Sequence, residues 1–257
     1  MTVRGWIDRL VGPYAVLFLR EATGRSDPLP HVIPTRAAAL APGQRLAFWS
    51  LCAGVGTSTL AALVAHRSTA AGAPALLFDL DRRAPSLALR AGISGGATVA
   101  DALLRPGREA ELVSRWSGTP FLPGAPGLHA TADGARLGAV VDGASAGRPV
   151  VIDLGSGAEA LDEVVLARCT RLVICVGTRV AQLQAAFCAL PLLSTVTEPP
   201  IALAVIDAAD DDGRRIAGRL PWPLVSIIPP DEHLARDDFG ARSPTLHAVD
   251  RLIRALS

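Results

Sequence analysis

The chain is 257 residues long with 24 acidic residues against 25 lysine-plus-arginine positions, all of them arginine, for a net charge of +1. A balance this even excludes a basic coat that grips nucleic acid over the whole surface, and the absence of lysine excludes any mechanism that requires one. Half of the residues are apolar, yet Gly, Pro, Arg or Asp breaks every run before the roughly 18–20 residues that span a bilayer, so a water-soluble fold is expected.

The first 44 residues read as an arm and linker. They hold a Trp6, Ile7, Leu10 and Val11 stripe, the single tyrosine, Tyr14, inside an apolar run over 14–19, and Gly/Pro-rich stretches at 24–30 and 42–43. The opening ten residues mix acid and base with no small-residue cleavage site behind an apolar core, so a secretory signal is not expected and a cytoplasmic location is. From residue 45 onward, short β-rich runs alternate with Ala/Leu-rich stretches of helical period. Strands are predicted over 45–51, 75–78, 119–122, 149–153, 171–176, 201–206 and 224–228. Helices are predicted over 58–71, 86–91, 99–104, 108–115, 132–146, 159–167, 180–195, 212–219 and 244–256. The alternation predicts one α/β domain over 45–257, doubly wound, with a mostly parallel seven-stranded sheet and helices on both faces. Cys52, Cys169, Cys175 and Cys188 form no CxxC pair and no Cys/His cluster, which argues against a zinc site or a disulfide framework.

The first predicted strand runs into Ser50-Leu-Cys-Ala-Gly-Val-Gly-Thr-Ser-Thr and then a helix. Gly54 and Gly56 let the backbone curl with its N–H groups inward, and the helix N-terminus adds a positive dipole end, so the turn suits an anion. A Gly-x-Gly turn by itself equally marks tight strand-to-helix packing. Asp79 and Asp81 follow one predicted strand and Asp153 ends another, where carboxylates also serve as caps of the next turn.

These segments together resemble the ParA/MinD-type P-loop ATPases. Residues 52–59 align with the deviant Walker A motif K-G-G-x-G-K-T-[ST], with Cys52 in place of the first lysine and Thr57 in place of the one that bridges the β- and γ-phosphates. Residues 79–87 are similar to the family's D-x-D-x-R-x-x-x-L segment, and Val150-Val-Ile-Asp-Leu-Gly-Ser-Gly is similar to a Walker B strand. Ile228-Pro-Pro-Asp and the stretch over 239–246 resemble its I-P-x-D turn and its Gly-x-P entry to the last helix, so the likeness covers about residues 45–256.

The resemblance implies ATP or ADP with magnesium. It places Ala53, Gly54, Val55, Gly56, Thr57, Ser58 and Thr59 around the phosphates, Ser58, Asp79 and Asp153 at the metal, and Asp81 at the attacking water. Asp207 stands where the family carries an adenine-reading asparagine; a carboxylate accepts from the adenine amino group but cannot donate. Two lost lysines remove several kcal/mol of transition-state stabilisation, so the expectation is a pseudo-ATPase or a weak ATPase, with a cradle that binds nucleotide without using it or holds none. Arg82 and Arg83 are the candidates to replace the lost charge, and Cys52 near a helix N-terminus is either a reactive thiol or a small residue tolerated in an inactive site.

Within the family the chain most looks like the TadZ/CpaE group, which positions Tad pilus machinery, through Thr98-Val-Ala-Asp-Ala-Leu-Leu and Phe121-Leu-Pro-Gly-Ala-Pro. That likeness implies a homodimeric localisation or assembly scaffold with a pilus or secretion partner at the inner face of the membrane, although a 44-residue arm stands in for that group's receiver-like domain. The competing reading is an ATP-dependent partition switch that binds DNA nonspecifically through Arg214, Arg215, Arg219, Arg242, Arg251 and Arg254. Leu246, Val249, Leu252, Ile253 and Leu256 share one side of the last helix, as in the membrane anchor of MinD, but packing on the sheet explains the same stripe and is expected here.

Overall fold

Apolar residues on both faces of successive strands require cover on both sides, and the computed structural model, which describes residues 37–127, 133–196, 198–235 and 241–257, supplies it. The strands are β1 (Arg45–Ser50), β2 (Leu76–Asp79), β3 (Ser114–Trp116), β4 (Thr119–Leu122), β5 (Val150–Ser156), β6 (Arg171–Gly177), β7 (Ile201–Ile206) and β8 (Leu224–Ile228). They form one sheet in the order β3-β4-β2-β5-β1-β6-β7-β8, parallel throughout except for β3 against β4. β1 sits between β5 and β6. Its Leu46 and Phe48 enter the core under helices α1 (Thr57–Ala70) and α10 (Ser243–Leu256), while Ala47 and Trp49 enter the opposite core under α4 (Gly134–Ser145).

The eighth strand departs from the sequence reading. Residues 108–115 were expected to be helical, but only Glu109–Leu112 make a 3-10 turn before the chain extends into β3. Ser117 and Gly118, at φ 46° and 86°, form a two-residue hairpin into β4. The strand conformation brings Trp116 edge-on to His66, 4.6 Å between ring centres, and buries it against Phe121. The helix expected over 180–195 divides into α6 (Val180–Cys188) and α7 (Leu190–Leu193), because Pro191 lacks the N–H that a continuous helix needs. That over 159–167 divides into a 3-10 turn, Ala158–Ala160, and α5 (Glu163–Leu166), with Asp162 accepting from the N–H groups of Val164 and Val165. The remaining helices are α2 (Leu87–Arg90), α3 (Val99–Leu103), α8 (Asp210–Ala217) and α9 (Glu232–Ala235), the last not foreseen.

Residues 37–44, expected to belong to the arm, lie against the domain. Ala38 donates its N–H to Asp250 Oδ1 at 3.1 Å and Leu40 donates to Ser68 Oγ at 3.1 Å. The Trp6 stripe, Tyr14, Phe239 and Gly240 lie outside the described residues. The apolar stripe of α10 is buried against β8 and α1, which corrects the membrane-anchor alternative for that helix. No helix among the described residues is long and apolar enough to cross a membrane.

Candidate functional site

β1 is buried to its last residue, so the chain leaves the sheet abruptly and turns over residues 51–56 into α1. Gly54 and Gly56 hold φ of 77° and 102°, in the left-handed region, and a Cβ at Gly56 would press on Ile206 Cγ2 at 3.3 Å. No side chain caps the N-terminus of α1, which leaves the first-turn N–H groups facing outward from the turn. Thr57 is buried. Its hydroxyl donates to Ser50 Oγ at 3.0 Å, and Ser50 donates to the carbonyl of Cys52 at 2.8 Å, so the loop is tied from within. Gln182 of α6 braces it from outside by donating to the carbonyl of Gly54 at 3.0 Å.

Asp79 and Asp153 are opposite each other on β2 and β5, and both are buried. Asp79 accepts from the N–H groups of Asp81 and Leu87, both at 3.2 Å, which uses one bond on each oxygen. Burial, and then the charge of Asp153, hold its carboxyl well above the usual range. Asp153 Oδ1 accepts from Gly155 N–H at 2.9 Å, whereas the buried Oδ2 has no hydrogen-bond partner. Burial pushes this carboxyl up to about 6, opposed by the Ser58 hydroxyl, the Gly155 N–H and the positive charge of Arg90. Asp81 accepts from the N–H groups of Arg83 and Ala84 at 2.9 and 3.0 Å, a capping role for its own turn.

The donor set fits magnesium held together with phosphate. Ser58 and the unsatisfied Asp153 oxygen offer hard oxygen ligands at the first turn of α1, and Mg²⁺ takes its remaining ligands from phosphate and water. Among the described residues no cluster of three His, Cys, Asp or Glu would cage a metal unaided. When bound, the ion would neutralise phosphate charge.

The arginines are arranged differently from the sequence expectation. Arg82 pairs with Asp162 at 3.0 Å and Arg83 pairs with Glu159, which commits both to the segment after β5 and away from the cradle. Arg90, the last residue of α2, instead donates from Nη1 to Thr59 Oγ1 at 2.7 Å. A cavity of about 270 Å³ opens beside the turn, bounded by Gly54, Gly56 and Thr59, flanked by Arg90 and Arg179, and reaching Asp207 and Pro229. Asp207 is itself left-handed, at φ 60°, and its carbonyl accepts from the Thr178 hydroxyl at 3.1 Å. Partial burial raises the Cys52 thiol above its ordinary value, which does not favour the thiolate.

Sequence reasoning missed Ser50, Arg90, Arg179 and Gln182. Gln182 accepts the N–H of Arg179 at 3.2 Å and reaches Gly54 with its amide N–H, contacts that no sequence pattern announces.

No family model and no curated protein matches the sequence. Solved structures do match. The ParA family ATPase of Chlorobium tepidum TLS aligns at 18% identity and TM-score 0.68, over 82% of this chain and 99% of that one. MinD of Pyrococcus horikoshii OT3, solved with Mg-ADP, aligns at 16% and 0.66 over 82% and 94%. A chain of the MinC:MinD cell division protein complex of Aquifex aeolicus aligns at 17% and 0.68 over 82% and 94%. The fold is that of MinD/ParA P-loop ATPases. Identities this low speak for the fold alone. The MinD/ParA architecture accounts for the crowding of glycine turn, buried carboxylates and cavity along one edge of the sheet, since ligands of open α/β sheets sit outside the strand C-terminal ends.

Proposed function

We propose that the chain is a nucleotide-binding relative of the ParA/MinD ATPases with a degenerate Walker A motif, hydrolysing slowly or not at all, and acting as a homodimeric localisation or assembly scaffold of the TadZ/CpaE kind for pilus or secretion machinery. One observation carries this reading. The position of the bridging lysine holds Thr57, a short neutral side chain tied inward to Ser50, while the left-handed glycines, the uncapped helix start and the Ser58–Asp153 pair are all present. Binding a phosphate chain draws on N–H groups and a cation; transferring the γ-phosphoryl group requires positive charge fixed above it, which Thr57 does not provide. In this reading ATP or ADP lies on residues 53–59 with Ser58 and Asp153 on magnesium, Asp79 behind them, Asp81 as a residual water-positioning group and Asp207 at the base.

A protein partner is supported by the MinC:MinD complex on the same fold and by α6, where Val180 and Phe187 are 83% and 45% exposed. The test is calorimetric titration with ATP and ADP, with and without magnesium, followed by sizing and phosphate-release assays. Micromolar binding, dimer formation and phosphate release at background level are expected, with release rising in Thr57→Lys. Turnover at an ordinary ATPase rate, or no binding at millimolar nucleotide, sinks the reading.

The alternative is a partition switch that draws on Arg214, Arg215, Arg219, Arg242, Arg251 and Arg254 to bind DNA. Arg214, Arg215 and Arg242 make exposed pairs with Asp210, Asp212 and Glu232 at 3.8, 3.2 and 3.2 Å, which cost little to exchange for phosphate. DNA affinity that falls steeply with salt and requires these arginines would favour it.

A further inference from the structure

We propose that Gln182 of α6 is a positioning residue of the cradle: its amide holds the Gly54 carbonyl outward so that the Val55 N–H faces the inside of the turn, and Gly177, at the end of β6, leaves room for that amide. This deepens the nucleotide reading and rests on it.

Residues 50–59 contain no cationic side chain, so within the turn only peptide N–H groups and hydroxyls can meet an anion, and the direction of each peptide decides what the turn offers. In a planar trans peptide the C=O and the following N–H point to opposite sides. A Gly54 carbonyl turned inward would set its oxygen against phosphate; held outward, it presents the Val55 N–H instead. Packing does not make this choice. Gly54 is exposed and left-handed, at φ 77°, and a Cβ on it would meet nothing within 4 Å, so the least constrained residue type stands where no neighbour restrains it. Val55 is buried and Thr57 is tied to Ser50, which leaves the peptide between Gly54 and Val55 to the bond from Gln182 Nε2 at 3.0 Å.

The amide is fixed for that bond at both of its atoms. Oε1 accepts the Arg179 N–H at 3.2 Å while Nε2 donates to Gly54, and exchanging the two would oppose donor to donor and acceptor to acceptor. Gly177 supplies the space. It is buried and not left-handed, so its backbone does not call for glycine, yet a Cβ there would overlap the Gln182 amide. One half-buried side chain thus closes the first turn of α6 and orients the cradle of α1. On the strand beside β1, Asp153 Oδ2 is buried without a hydrogen bond, the oxygen that a cation held with the anion would satisfy.

The test is calorimetry of the full chain with magnesium and ADP or inorganic pyrophosphate, on wild type, Gln182→Met, Gln182→Glu, Gly177→Ala and the Gly177→Ala/Gln182→Met double variant, with thermal unfolding as a check on folding. Gln182→Met removes the brace without adding charge. Gln182→Glu keeps the acceptor for Arg179 and loses the donor to Gly54, and Gly177→Ala keeps the glutamine and displaces its amide. Gln182→Met and Gly177→Ala are each expected to weaken ADP and pyrophosphate by the same factor, about three- to tenfold, the size of one lost hydrogen bond, and Gln182→Glu by more, since its carboxylate opposes the carbonyl. The double variant binds like the weaker single one, because both changes remove one interaction, a result that a general loss of stability would not give. If folded Gln182→Met and Gly177→Ala bind ADP like wild type, the brace is wrong and the nucleotide reading stands. Losses that multiply in the double variant overturn the pairing of Gly177 with Gln182. Gln182-dependent pyrophosphate binding with ADP ignored supports the brace and overturns the nucleotide reading. Absence of binding of both ligands by wild type overturns both.

Discussion

The two ends of α1 carry similar polar groups and use them in opposite ways. At its C-terminal end Arg67 meets Asp250 through two bonds, Nε to Oδ1 at 3.0 Å and Nη2 to Oδ2 at 2.5 Å, and Asp250 also accepts the N–H of Ala38. Ser68 accepts from Leu40 and donates to the carbonyl of Ala73, although the nearby Thr69 hydroxyl is buried without a partner. At the N-terminal end the first turn is uncapped, two glycines sit in the left-handed region, and a buried oxygen of Asp153 has no hydrogen bond. A charge pair completed by further bonds fastens α10 and residues 37–40 to the domain, whereas the glycine turn at the other end lies beside a carboxylate oxygen that no hydrogen bond satisfies.

Four substitutions break or sharpen this contrast. The largest effect belongs to Asp250→Ala, which takes the carboxylate from a buried guanidinium. It is expected to cost about 3–5 kcal/mol in chemical unfolding while leaving nucleotide affinity of the folded fraction unchanged. Gly56→Ala attacks the other end: a left-handed alanine that also crowds Ile206 is expected to cost about 1–3 kcal/mol and to abolish nucleotide binding, and full affinity in the variant would show that the turn is structural only.

Asp153→Asn separates the ends by pH. The folded carboxyl titrates at about 6, above its ordinary value of 3.8, so between these values the folded state holds more protons than the unfolded one. Stability from this group is therefore greatest at low pH, falls as pH rises through that window, and is constant above about pH 6. The asparagine variant is expected to be more stable than wild type near neutral pH by on the order of 2 kcal/mol, with a flatter pH profile in urea titrations and no magnesium dependence of nucleotide binding. The smallest effect is that of Arg82→Ala, which loses one partly exposed ion pair, at most about 1 kcal/mol, with no change in nucleotide affinity; a large loss of affinity would return Arg82 to the cradle.

Much of the fold was legible in local patterns. The alternation of β-rich runs with helical stretches marks the parallel strands, Gly54 and Gly56 mark the turn, and the aspartates after the predicted strands mark its acidic border, because period and backbone preference act over a few residues. β3 was hidden because Ser117-Gly118 directs a hairpin whose worth depends on Trp116 reaching His66, distant in sequence.

The sequence by itself determined a glycine turn without lysine and the carboxylates around it. Only the tertiary structure decided which charged side chains lie beside that turn, pairing Arg82 and Arg83 with Asp162 and Glu159 and placing Arg90 on Thr59, 31 residues away in the chain. The reason is physical: charge acts through space, so the partner of an arginine is set by where its helix lands and not by its neighbours in sequence.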